Sequence, residues 1–239
     1  MSQTNIVLST CGRPVLLAQT LNTLLKNTRD GDYTLTIVED GTEDFQISDI
    51  PNTVLLRIMP RCGITGRVRN LGIYFSEKHF GRGDYLYLSD NDVAFLPQWL
   101  ETLIEYQHYG AEYGVALVGG WNHPYMQPRR DDGFGVNIAG GRYTVMTHDA
   151  VSGASMLMRW ETYDKYGPFD SWAPGVGQSE DVALCQKIIA DGNLVGSIYP
   201  RVVLNAGVTN TLGQLSPGAD FMVEELKEAK KRYAELYWE

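Results

Sequence analysis

Cysteine is scarce in this sequence of 239 residues: Cys11, Cys62 and Cys185 are odd in number and far apart, which gives neither a disulfide framework nor a zinc-ligand spacing. They are expected to be reduced thiols. Long apolar runs are missing too. None approaches the roughly 20 residues that cross a bilayer, and the opening MSQTNIVLSTCGRP lacks the basic-then-apolar order of a secretory signal, so a cytoplasmic location is expected. No basic run is longer than a pair such as Lys230-Lys231, and the net charge is −9. This argues against a broad phosphate-binding face for nucleic acid, although a local basic groove is compatible with it. Several motifs are also absent: no phosphate loop, no HExxH, and no GxGxxG after the first strand-like run. DNDVAF lacks the acidic fifth position and the glycine of a calcium loop.

The sequence does hold a core, 44% of its residues being hydrophobic. Strand-like NIVLST (5–10), YTLTIVED (33–40) and VLLRIMP (54–60) alternate with helix-like segments. The first of these, RPVLLAQTLNTLLKN, has Pro14 suited to a first turn and Leu17, Leu21, Leu24 and Leu25 at helical spacing. A helix around GRVRNLGIYFSEKHF, a strand ending at Asp90, a helix from about Pro97 and the strand GVALVGGW follow. This order predicts an α/β fold with a mostly parallel central sheet covered by helices. Residues 122–149 break into Gly, Pro, Arg and Asp with aromatics, a functional loop or small hairpin too long for a plain connection. Beyond it lie SGASMLMRWETYDKYG, a glycine-rich loop, a helix near SEDVALCQKIIADG and a helical tail. No repeat or linker divides the chain. A single domain is expected, with a nucleotide-binding half (1–120), an acceptor half (121–205) and a C-terminal tail (206–239).

Ligands of an open parallel sheet bind at the carboxyl ends of its strands. Three predicted strand ends carry polar residues: Thr10 and Arg13 in STCGRP, Glu39 and Asp40 in VEDGT, and Ser89, Asp90 and Asp92 in SDND. Each also has a local structural account, since Thr10 or Asp92 would cap a helix, Asp40-Gly41 would make a turn, and Arg13 would be a solvated side chain. Placed together, they favour a site. Two carboxylates side by side repel unless a cation lies between them and a partner.

IVLSTCGRPVLLAQTLNTLLKN, TIVEDGT, GRVRNLGI and YLYLSDNDVAF occur in the order and approximate spacing found in GT-A fold glycosyltransferases of the family-2-like type, which the sequence resembles over roughly residues 5–192. The later VSGASMLMRWETYDKYGPFD and GVGQSEDVALCQKIIADG are similar to the acceptor half of such enzymes. The resemblance implies that Asp92 binds a divalent metal, Mn²⁺ or Mg²⁺, and that Asp90 contacts the donor ribose or a metal-bound water. It implies that Asp40 accepts a hydrogen bond from the nucleotide base, with Thr10, Arg13, Arg69 and Asn70 around the nucleotide. In the Glu180-Asp181 pair, Asp181 would be the general base and Glu180 an acceptor-binding neighbour. The bland alternatives are a surface Arg69 and carboxylates that complement a helix dipole, with Ser179 as the cap.

The resemblance has a gap. Many relatives carry a metal-binding histidine beyond the acceptor helix, whereas YPRVVLNAGVTNTLG offers only Asn205 and Asn210. His123 and His148 in the irregular loop are substitutes on paper, although lone histidines more often serve structure. Trp121, Tyr125 and Trp172 would stack on a sugar or pack in the core, and Trp160 is assigned to the core. The implied activity is metal-dependent transfer from a nucleotide-diphosphate sugar, a UDP-sugar first, to a hydroxyl acceptor with inversion. A glycan is the expected acceptor and modified DNA the less favoured one. A nucleotidyltransferase of similar fold is disfavoured by the glycine- and lysine-poor TCGRP loop, and a catalytically silent binding module by the joint presence of Asp90, Asp92 and Asp181.

Overall fold

The computed structural model describes residues 3–41, 50–120, 135–170 and 180–205. The first half runs β1 (Thr4–Thr10), α1 (Pro14–Asn27), β2 (Tyr33–Glu39), β3 (Thr53–Arg57), α2 (Thr65–Phe80), β4 (Tyr85–Asp90), β5 (Val93–Phe95), α3 (Trp99–Gly110) and β6 (Val115–Gly119). The second contributes β7 (Val136–Ile138), β8 (Tyr143–Thr147), β9 (Ser155–Arg159), α4 (Trp160–Tyr166), α5 (Glu180–Ala190), β10 (Leu194–Ile198) and β11 (Val203–Asn205). Nine strands form one sheet in the order β3-β2-β1-β4-β9-β6-β10-β8-β7, in which only β9 and β8 run against the rest. The expected mostly parallel α/β architecture is therefore present. Part of the irregular stretch is a hairpin, β7 pairing with β8, while 121–134 lies outside the described residues.

Strands covered on both faces need apolar residues at consecutive positions, and β1 has them. Ile6 and Leu8 face one cluster with Leu17 and Leu24 of α1 and Trp99 and Leu103 of α3. Val7 faces the opposite cluster with Val68 and Ile73 of α2 and Leu184 and Ile188 of α5. Gly72 lets α2 lie close to the sheet, because a Cβ there would come within 2.5 Å of Val38 Cγ2 and 2.6 Å of Val7 Cγ1. Gly72→Val is expected to destabilise by about 1–3 kcal/mol through overpacking. For a chain of this size the corresponding fall in Tm is roughly 2–12 °C, readable by thermal unfolding; an unchanged Tm would refute the close approach.

Threonine and asparagine would be out of place on a buried helix face without backbone partners. On α1 they find them at the short strand beyond Asp92. Thr20 Oγ1 donates to the Val93 carbonyl at 2.8 Å and accepts from its N–H at 3.2 Å. Thr23 Oγ1 accepts from the Phe95 N–H at 3.2 Å, and Asn27 donates to the Phe95 carbonyl at 2.9 Å. This lacing leaves Asp92 at the entrance of a rigid segment. On the other side of β5, β11 pairs antiparallel with Asn205 opposite Val93.

Candidate active site

The parallel register brings Ser9 beside Asp90 and Thr10 beside Glu39, so the polar residues of three strands meet at one sheet edge. Asn91, between the two aspartates, ties these ends together. Its amide donates to Thr10 Oγ1 at 2.8 Å and to the Gly12 carbonyl at 3.0 Å, and its oxygen accepts from Arg13 Nη2 at 3.2 Å. Sequence reasoning missed Asn91. Its only signal was its place between two carboxylates.

Asp90 and Asp92 have different partners. Asp92, just past the end of β4, is ion-paired with Arg13. Burial first, and then the charge of Asp90, push its carboxyl up to about 6, against the opposing pull of Arg13. Asp90 instead accepts from Arg69 Nη2 at 2.9 Å.

Arg69 is not the surface residue that a helical arginine usually is. It is 3% exposed, and its Nε lies 3.5 Å from Glu180 Oε1 at the start of α5. Burial opposes its charge, but the nearby carboxylates of Asp90, Glu180 and Asp181 outweigh it and hold the guanidinium above its ordinary value. The ring of Phe169 lies 5.8 Å from its Cζ. The guanidinium rests on Gly153, where a Cβ would collide with Nη1, Nη2 and Cζ. The register Ser89↔Ser155 carries the Gly153 loop beside Asp90. The Gly153 N–H donates to Asp181 Oδ2 at 2.8 Å. Asp90, Arg69, Glu180, Gly153 and Asp181 therefore form one connected group, although they are distant in sequence.

Two other predicted residues are engaged with backbone. Asp40 accepts from the N–H groups of Cys62 at 2.5 Å and Gly63 at 2.8 Å, which fixes the loop between β3 and α2. Asn70 donates to the Phe169 carbonyl at 2.8 Å and accepts from its N–H at 2.9 Å, a bracket that seats Phe169 under Arg69. Of the histidines, His148 is buried, with Nε2 2.7 Å from Ser197 Oγ, and its backbone is bonded to β10. It is a core residue. Trp160 is buried as expected, its Nε1 donating to Asn5 Oδ1 at 3.1 Å. Neither α1 nor α3 has a side-chain cap at its N-terminus, so Thr10 does not cap the first and Asp92 does not cap the second. His123, Trp121, Tyr125, Trp172, Ser179 and Asn210 lie outside the described residues.

No protein-family model matches the sequence, and no curated protein matches it significantly. Solved structures do. A mannosyltransferase from Pyrobaculum calidifontis, PcManGT, in complex with GDP-Man and Mn²⁺ superimposes with a TM-score of 0.59 at 13% identity, over 88% of this chain and 58% of that one. S. aureus TarS gives 0.59 at 13% identity, over 95% and 39%. GalNAc-T7 with UDP, GalNAc and Mn²⁺ gives 0.58 at 12%, over 83% and 42%. The chain has the GT-A fold. It spans about two fifths to three fifths of the length of these structures. In this GT-A fold the polar edge described above lies where β1, β2 and β4 end, the place at which open sheets of this kind bind ligands. Among the described residues no helix is long and apolar enough to cross a membrane.

Proposed function

We propose that this GT-A chain is a metal-dependent glycosyltransferase that moves a sugar from a nucleotide-diphosphate donor, with UDP as the leading candidate, to a hydroxyl acceptor with inversion. One observation carries the reading: Arg69 joins Asp90, at the donor-side strand end, to Glu180, beside Asp181 at the start of α5. The solved neighbours support the donor class, Mn²⁺ accompanying GDP-Man in one and UDP with GalNAc in another.

Asp90 and Asp92 fit a divalent ion. Their hard oxygens suit Mn²⁺ or Mg²⁺, and burial makes the anionic form of Asp92 costly without a cation nearby. Among the described residues no three Asp, Glu, His or Cys side chains form a metal-binding group. Asp90 and Asp92 would be the residues that hold the ion, with the remaining oxygen ligands coming from outside these two side chains. Bound there, the metal would neutralise the charge that develops on the departing diphosphate.

Asp181 accepts the proton of the attacking hydroxyl as its oxygen bonds to the anomeric carbon. The bond from that carbon to the phosphate oxygen breaks, its electron pair leaving with the diphosphate. A single displacement from the opposite face inverts the configuration. Arg13 and Asp40 orient the nucleotide, and Glu180, through Arg69, keeps the first turn of α5 in place.

Ligand binding by the folded state alone, at about 100 times Kd, stabilises by roughly 2.7 kcal/mol. UDP with Mn²⁺ should therefore raise Tm by about 5–11 °C, and UDP with EDTA by much less. The shift should shrink below about pH 6, where protons compete for Asp92. Equal shifts with Mn²⁺ and with EDTA would remove the metal from this reading.

A further inference from the structure

We propose that Arg13 is an internal counterion that occupies Asp92 until the donor's diphosphate takes over the guanidinium, so that the metal enters together with the nucleotide and not ahead of it. The inference rests on the metal-dependent reading above and adds an order of binding to it.

Three features support the exchange. First, Arg13 is built to reach Asp92. It adopts a left-handed backbone, φ 59°, just before α1, a conformation that non-glycine residues seldom take. Second, the pair is largely withdrawn from water, the two side chains being 18% and 15% exposed. A divalent ion approaching Asp92 therefore meets a fixed positive charge with little solvent to screen it. Third, Asn91 fastens the loop that carries Arg13. It bonds Thr10, Gly12 and the Arg13 guanidinium at once, so the arginine is held beside Asp92 and does not swing freely in solvent.

A diphosphate changes the balance. Its phosphoryl oxygens offer the planar guanidinium a multidentate anion, the kind of partner that arginine binds well. With Arg13 turned to phosphate, the Asp92 carboxylate would be free to hold the metal, which would supply a counter-charge to the same diphosphate. Nucleotide and metal then bind with positive coupling, each strengthening the other. Without an anion to receive Arg13, the metal alone must compete with the guanidinium.

The test measures free Mn²⁺ by electron paramagnetic resonance at pH 7.5, in titrations of the full chain with and without UDP. Wild type is expected to bind Mn²⁺ weakly alone and at least tenfold more tightly with UDP. Arg13→Gln is expected to bind Mn²⁺ alone at least tenfold more tightly than wild type, and to gain less from UDP. Arg13→Lys keeps the charge and is expected to bind Mn²⁺ alone as weakly as wild type but to gain less from UDP, its ammonium being a poorer multidentate partner for the diphosphate; a cooperative thermal unfolding transition in each variant establishes that it is folded. Asp92→Asn should abolish the tight site in every background. If wild type binds Mn²⁺ with UDP but Arg13→Gln and wild type bind Mn²⁺ alone with equal affinity, the counterion role is overturned and the metal reading stands. If wild type binds no Mn²⁺ even with UDP, both fall.

Discussion

Asp181→Asn is expected to lower sugar transfer by about 10²–10⁴-fold while leaving the UDP and Mn²⁺ thermal shift close to that of wild type. A sugar hydroxyl is a poor nucleophile until its proton has an acceptor, and a positioned carboxylate contributes about that factor. The amide keeps the shape of the side chain and its capacity to accept from the Gly153 N–H, which lies 2.8 Å from Asp181 Oδ2. It removes the basicity. Glu180→Gln should behave differently, because Glu180 is buried against Arg69 and faces structure as much as substrate. Its main effect should fall on stability, with a smaller loss of rate. Transfer rates for both variants, with NMR of the anomeric configuration in the residual product, separate the outcomes. Near-normal transfer by Asp181→Asn beside an inactive Glu180→Gln would reverse the two roles, and a retained configuration would discard the single displacement.

Arg69→Met should be the most destabilising of the substitutions considered. Removing one partner of a buried ion pair costs about 3–5 kcal/mol, since it strands the other charge away from water. For a chain of this size that is a fall in Tm of roughly 6–20 °C. The direction of the pH dependence follows from Glu180, whose carboxyl is raised by burial and held down chiefly by Arg69. Without Arg69 it rises further. A carboxyl with a folded value above its unfolded one stabilises the fold at low pH and loses that contribution as pH rises through the folded value. The deficit of Arg69→Met relative to wild type should therefore be larger at pH 8 than at pH 5. Adding Glu180→Gln should recover much of the stability at pH 8 without restoring transfer, because Asp90 still lacks its partner. A deficit that does not vary with pH would show that Glu180 is not the stranded charge.

The alternation of elements, the parallel sheet and the polar strand ends could all be read along the chain, because each depends on local periodicity. Ile6, Val7 and Leu8 alternate between two cores, and Leu17 and Leu24 stand on the inner face of α1. A strand covered on both sides leaves a continuous apolar run, and a covered helix leaves a stripe. The clustering of Thr10, Arg13, Asp40, Asp90 and Asp92 then follows from parallel strands ending on one side. The GT-A resemblance placed Asp181 and Glu180 at the opening of a helix, and α5 begins there. Elements whose residues bury only against distant partners were harder to read. β5 and β11 are three residues each, too short to carry a period, and β7 and β8 lie in a stretch rich in Gly and Arg.

What the sequence by itself determined is therefore the class of fold and the set of polar residues at the strand ends, since both are written in local spacing. Which of those residues touch was decided only by the tertiary structure. Arg69 meets Asp90 across 21 positions, Arg13 meets Asp92 across 79, and Asn70 brackets Phe169 across 99. Gly153 is indistinguishable in sequence from any loop glycine until the guanidinium of Arg69 is laid against it. A buried charge is tolerated only where several carboxylates, a ring face and a side-chain-free backbone converge on it. That convergence comes from strand register and helix docking, which no local pattern encodes.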